Sequence, residues 1–120
     1  MKKATWEKRI RAACEDAGTY KTFFESVIST LASIMERRDE ADKAFRDSGG
    51  ETVIEYTNKN GMTNTVKNPA LVVVMDLDTQ ALAYWRDLGL TPAGLKKINE
   101  DAMKGKKRDA LAEALKKLNG

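Results

Sequence analysis

Apolar positions in this chain recur mostly three or four residues apart, the spacing that places side chains on one face of an α-helix. In "WEKRIRAACEDAG", Trp6, Ile10, Ala13 and Ala17 follow that spacing, which predicts a short helix capped by Thr5 and stopped by Gly18. A second stripe runs through Phe24, Val27, Ile28, Leu31, Ile34 or Met35, Ala41 and Phe45, and predicts a long helix over 20–47. At 1.5 Å per residue that helix is about 40 Å long. One apolar stripe of such length calls for a partner helix. Its second half, "ERRDEADKAF", offers the i,i+4 pairs Arg38/Asp42, Asp39/Lys43 and Asp42/Arg46, each worth about 0.2–0.5 kcal/mol.

After "SGG" at 48–50 the period changes. "TVIEYT" and "MTNTVK" alternate in the manner of strands and predict a small hairpin around 58–61. Opposed residues of a hairpin share a face, so the register is testable on the apolar side chains. A two-residue turn at Asn60 and Gly61 puts Ile54 and Tyr56 on the face opposite Met62 and Val66. A three-residue loop over 59–61 pairs Asn58 with Met62, Tyr56 with Asn64 and Ile54 with Val66. The apolar residues then coincide, and Gly61 occupies the left-handed position that loop requires. A lone hairpin is marginal in water, so this one is expected to pack on something or pair with a neighbouring chain.

Asn68 as N-cap and Pro69 as first helical residue open a further helix of about 20 residues, ending near Leu88. Leu71, Val74, Met75, Leu77, Ala81, Leu82, Trp85 and Leu88 give it a broad apolar face. Gly89 suits the left-handed C-terminal position, with Leu90 folding back toward Trp85. Thr91 and Pro92 restart the helix at once, and Leu90 and Leu95 have the spacing of a hydrophobic staple. The tail holds one or two amphipathic helices around a weak point at Gly105, with Leu111, Leu115 and Leu118 as the last stripe. The fold expected is mainly α: an antiparallel long-helix hairpin with a small β-hairpin at its tip, flanked by short N-terminal and C-terminal helices.

A chain of 120 residues suffices for one modest core. The expectation is a single domain over 1–120, with a basic N-terminal helix (1–19), a helical hairpin with β tip as oligomerisation core (20–90) and basic C-terminal helices (91–120). No apolar run approaches the roughly 18 residues of a membrane span, and none follows the lysines at the start as in a signal peptide. A cytoplasmic protein without membrane contact is expected.

With Cys14 as sole cysteine and no histidine, an intrachain disulfide, the usual zinc sites, catalytic triads and imidazole bases are all excluded. Cys14 reads as a packed or half-exposed thiol. No P-loop or dinucleotide fingerprint occurs. Asp76 and Asp78 diverge by about 200° on a helix, so they and Asp87 read as a solvated face and not as metal ligands. The expectation is a protein that is not an enzyme, with no cofactor and no metal.

The net charge of +3 is unevenly spread. Residues 1–20 carry five Lys/Arg against three acids and 96–120 carry eight against four, while the middle has no positive excess. Basic ends favour an acidic partner, nucleic acid being the commonest. The candidate phosphate contacts are Lys2, Lys3, Lys8, Arg9 and Arg11 at one end and Lys96, Lys97, Lys104, Lys106, Lys107 and Arg108 at the other. Trp85 and Tyr84 could stack bases, but Trp85 lies on the apolar stripe and reads as core. Phe24, Ile28, Leu31, Met35, Val74, Leu82, Trp85 and Leu88 are the candidates for core and oligomerisation, since two antiparallel helices alone leave part of such stripes exposed.

The run "NGMTNTVKNPALVVVMDLDTQALAYWRDLGLTPAGLKKI" resembles the phage terminase small subunits, in which a Gly-containing hairpin leads into Lys-Asn-Pro-Ala, a helix, and Leu-Gly-Leu-Thr-Pro. The matching positions are 67–70 and 88–92, and the resemblance covers about 50–98. It implies a non-catalytic DNA-packaging subunit that forms a ring-like homo-oligomer through helical hairpins. The implied partners are viral double-stranded DNA and the terminase large subunit, and the implied location is the cytoplasm of the bacterial host. Some members carry an N-terminal helix-turn-helix, whereas 1–20 has room for one short helix, so contact by the basic ends of an assembled ring is the form expected. The alternative is a helical protein-interaction or adaptor module that binds no DNA.

Overall fold

The computed structural model describes residues 1–119, the side chain of Asn119 excepted. Four helices and one hairpin follow in the order α1 (Lys3–Ala17), a single 3-10 turn (Thr22–Phe24), α2 (Glu25–Asp47), β1 (Val53–Thr57), β2 (Thr63–Lys67), α3 (Pro69–Asp87) and α4 (Pro92–Asn119). The shape is elongated, 85 × 30 × 20 Å, with a radius of gyration of 22.3 Å where a compact chain of this length has about 14 Å.

Helix α1 begins at Lys3, and Thr5 does not cap it. Its cap comes from across the interface: the Lys3 backbone N–H donates to Glu36 Oε2 at 2.6 Å. A carboxylate at a helix N-terminus satisfies an orphan donor and complements the helix dipole. Gly18 ends α1 in the left-handed conformation, φ 73°. Ile10 and Cys14 form the fully buried side of α1. Cys14 is thus a packed thiol, and burial raises its pKa.

The expected helix over 20–47 starts late. Thr19 is buried, its side chain donating to the Leu88 carbonyl at 2.8 Å, and 19–21 stay outside any helix, with Lys21 extended, before the 3-10 turn. From Glu25 onward α2 packs α1 on one side and α3 on the other, with Ile28, Leu31, Ala32 and Ile34 buried. Of the three ion pairs expected along it, Arg38/Asp42 (3.9 Å) and Asp42/Arg46 (2.6 Å) form. Asp39 does not pair with Lys43. It accepts the Trp6 indole N–H at 2.8 Å and lies 3.3 Å from the chain's N-terminal amine.

The hairpin has the three-residue loop. Ile54 faces Val66 and Tyr56 faces Asn64, while the Asn58 N–H donates to the Met62 carbonyl at 2.9 Å. Asn58 Oδ1 accepts from both Asn60 and Met62 N–H, and Gly61 has φ 76°. At the base, buried Asn68 ties hairpin to helix. Its Oδ1 accepts from Ala70 N–H as the N-cap, its Nδ2 donates to the Glu51 carbonyl, and its backbone N–H donates to the Thr52 carbonyl.

Helix α3 runs antiparallel to α2: the two join through the hairpin at one end, and Thr19 meets Leu88 at the other. Arg38 Nε donates to Asp78 at 2.8 Å between them. Val74, Ala81 and Leu88 are buried, with Leu77, Tyr84 and Trp85 packed against the core. Gly89 (φ 72°) reverses the chain, the Leu90 N–H donates to the Trp85 carbonyl at 2.9 Å, and Thr91 Oγ1 accepts from Gly94 N–H at 3.1 Å. Helix α4 then continues unbroken through Gly105 for 28 residues. One glycine costs a helix about 1 kcal/mol relative to alanine, and the Lys, Ala, Leu and Glu around it are strong helix formers.

Candidate nucleic-acid interface

The two basic ends differ in how many of their cations are committed within the chain. At the N-terminal end, Arg11 donates from Nε and from a terminal nitrogen to the two carboxylate oxygens of Glu25, both at 2.9 Å. Such a bidentate pair fixes the guanidinium plane and leaves little for another anion. Tyr20 donates its hydroxyl to the same carboxylate at 2.6 Å. These two donors, Arg11 first, lower the Glu25 pKa to about 2, and the Arg11 pKa is raised in return, chiefly by its hydrogen bonds to Glu25. Lys3 lies 3.9 Å from Glu7. Lys2, Lys8 and Arg9 are exposed and have no ion-pair partner among the described residues.

At the other end, Lys96 is 3.9 Å from Glu100, both well exposed. Lys97, Lys104, Lys106, Lys107 and Arg108 are exposed without a carboxylate in ion-pair range among the described residues. At about 100° per residue Lys97, Lys104, Lys107 and Arg108 share one face of α4 over about 16 Å, and Lys106 projects from another side. Sequence reasoning left out Lys116 and Lys117, which are exposed on the same helix. Last-turn lysines complement the helix dipole and so carry a structural explanation of their own.

The base of α4 is fixed by close packing. A Cβ on Gly94 would collide with the Arg86 carbonyl oxygen, and one on Gly89 would come within 2.7 Å of Ile98 and 2.8 Å of Thr19. Both glycines are therefore needed for α4 to leave α3 at this angle. From Asp101 to Leu118 every side chain is exposed. The cationic segment stands clear of the core.

Of the apolar candidates, Ile28, Leu31, Val74 and Leu88 are buried, and Phe24, Met35 and Trp85 are partly buried against them. Leu82 departs from a core reading, being 48% exposed. Like Val72 and Met75 (53% exposed), it lies outside the buried face of α3 formed by Val74 and Ala81. Among the described residues no helix is long and apolar enough to cross a membrane.

In comparisons with known proteins, residues 3–104 match a family described as phage terminase, small subunit. No curated protein and no solved structure matches the chain.

Proposed function

This chain belongs to the phage terminase small-subunit family, and from that premise we propose that it acts as a ring-like homo-oligomer that holds viral double-stranded DNA for packaging and regulates the terminase large subunit. It performs no chemistry itself and works in the host cytoplasm. The observation that carries the DNA contact is the set of uncommitted cations on α4, Lys97, Lys104, Lys106, Lys107 and Arg108, which project into solvent with no carboxylate in ion-pair range among the described residues. Lys2, Lys8 and Arg9 extend the basic surface at the other end, whereas Arg11 serves the α1–α2 contact.

A few phosphate contacts per chain give weak binding, and an assembly that presents many copies to one duplex multiplies it through effective concentration. Each neutralised phosphate contributes about −0.9 to the slope of log affinity against log salt. Reversing the charge of Lys106, Lys107 and Arg108 together should flatten that slope by about 3 and weaken binding to all duplex sequences alike. Fluorescence anisotropy with a labelled duplex at several salt concentrations measures both. Unchanged affinity and slope would remove α4 from the interface. Absence of any duplex binding by the assembled wild type at low salt would instead favour the protein-interaction reading.

A further inference from the structure

Helix α4 is anchored at one end and unsupported over most of its length. Its first turns are seated on α3 and the loop before it, with Gly94 against the Arg86 carbonyl and Ile98 against Gly89. From Asp101 to Leu118 every side chain is exposed, Leu111, Leu115 and Leu118 by 61%, 50% and 81%. These leucines meet no core, so the outer turns are held by their own backbone hydrogen bonds. Helices draw most of their stability from packing, and without it a short one is marginal in water.

Two features of the sequence weaken the outer turns further. Gly105 loses more backbone freedom on entering a helix than any other residue would. Lys104 stands next to Lys107 and Arg108 at i,i+3 and i,i+4, where like charges repel. From residue 104 to 118 the chain carries six cations and two acids. The one ion pair on α4 among the described residues is Lys96 with Glu100, nearer its base. Because that base is already helical, the outer turns need no new nucleus and grow or fray residue by residue.

We infer that the outer part of α4 is a helix in equilibrium with coil, and that duplex DNA draws it into the helical form. This rests on the DNA contact proposed above and states how that contact is made. In the helix Lys97, Lys104, Lys107 and Arg108 share one face, and in coil they do not. Phosphates laid along that face neutralise the charges whose crowding opposes the helix, so the duplex binds the helical form better and shifts the population toward it. Such coupling is reciprocal. Whatever stabilises the helix tightens the hold on DNA, even at a position that never touches it, because apparent affinity scales with the fraction of free chain in the competent form.

Gly105 and Ala110 provide the test, since each lies about 100° or more round the helix from Lys104 and carries no charge. Open space surrounds Gly105, and Ala110 is exposed. In the full chain, Gly105→Ala should tighten duplex binding and Ala110→Gly should weaken it, each by up to about fivefold per tail, equivalent to about 1 kcal/mol. The slope of log affinity against log salt should stay that of the wild type in both, because the number of phosphates neutralised is unchanged. Adding duplex to the wild type should increase helicity by circular dichroism and slow amide hydrogen exchange across 104–118. A wild type that binds duplex with no gain in helicity or protection overturns the inference, as do two variants that bind as the wild type does. In either case weaker binding on charge reversal at Lys106, Lys107 and Arg108 leaves the DNA contact itself standing, whereas a wild type that binds no duplex removes both.

Discussion

The Arg11 guanidinium and the Glu25 carboxylate meet end to end, two hydrogen bonds of 2.9 Å closing α1 onto the first turn of α2. Because Glu25 has a pKa lowered to about 2, it binds its proton less readily in the folded chain than in the unfolded one, where a glutamate titrates near about 4.3. Its contribution to stability is therefore present in full above the unfolded value and is lost as pH falls from there through about 2. The nearby Glu7 and Glu15 add to the negative field that the Arg11 and Tyr20 side chains sense. Denaturant unfolding at pH 7 and at pH 2.5 should show a larger acid-induced loss in wild type than in Glu25→Gln, with the difference between the two proteins narrowing at the lower pH. Equal acid sensitivity would remove the pair from the stability of this interface.

Local rules exposed a large part of this architecture in the sequence. The hairpin register followed from requiring Ile54 and Val66 to share a face, and the restart at Asn68 and Pro69 followed from capping chemistry. What stayed hidden were contacts between residues far apart in the chain. Glu36 caps α1 from 33 positions away, and Thr19 reaches Leu88, 69 positions away. Neither partner carries a local signature. The candidate interface divided in the same way: the excess of cations was legible from composition, but the commitment of Arg11 to Glu25 depended on helix packing. Leu82 stands among candidates for both core and oligomerisation because periodicity reports that a helix has an apolar face and not how many neighbours cover it.

Two glycines of α4 should respond oppositely to the same substitution. Gly94→Ala drives a methyl group into the Arg86 carbonyl, a backbone atom that cannot turn aside, so α4 must shift at its base. Overpacking of this kind costs about 1–3 kcal/mol. Gly105 has open space around it within a continuous helix, and Gly105→Ala should stabilise the tail by about 0.5–1 kcal/mol. Helicity followed by circular dichroism on heating should fall earlier for the first variant and later for the second.

Thr19→Val keeps the shape of a buried side chain and removes its only hydroxyl. The Leu88 carbonyl then loses a donor at 2.8 Å in the buried junction of α1, α3 and α4. An orphaned buried acceptor costs about 1–3 kcal/mol. Thr19→Ser, which keeps the hydroxyl, should recover most of that loss in a denaturant titration. Equal stability of Thr19→Val and the wild type would remove the hydroxyl bond to Leu88 from the stability of this junction.

Asn68 joins hairpin and helix through two separate atoms, so two substitutions can divide its roles. Asn68→Asp keeps an oxygen to accept from Ala70 N–H and so preserves the cap, but it removes the Nδ2 donor and turns a carboxylate toward the Glu51 carbonyl. Asn68→Ala loses both. A cap of this kind contributes about 0.5–2 kcal/mol. The alanine variant should therefore fray the first turn of α3 and loosen the hairpin, whereas the aspartate variant should loosen the hairpin alone. Amide hydrogen exchange resolves the two: faster exchange at Ile54 and Val66, whose register places their N–H groups toward the partner strand, in both variants, and faster exchange at Ala70 and Leu71 only in Asn68→Ala. If the aspartate variant left hairpin exchange unchanged, the strand pairing and the Asn58 loop would suffice to hold the hairpin, and the Asn68–Glu51 bond would be dispensable to it.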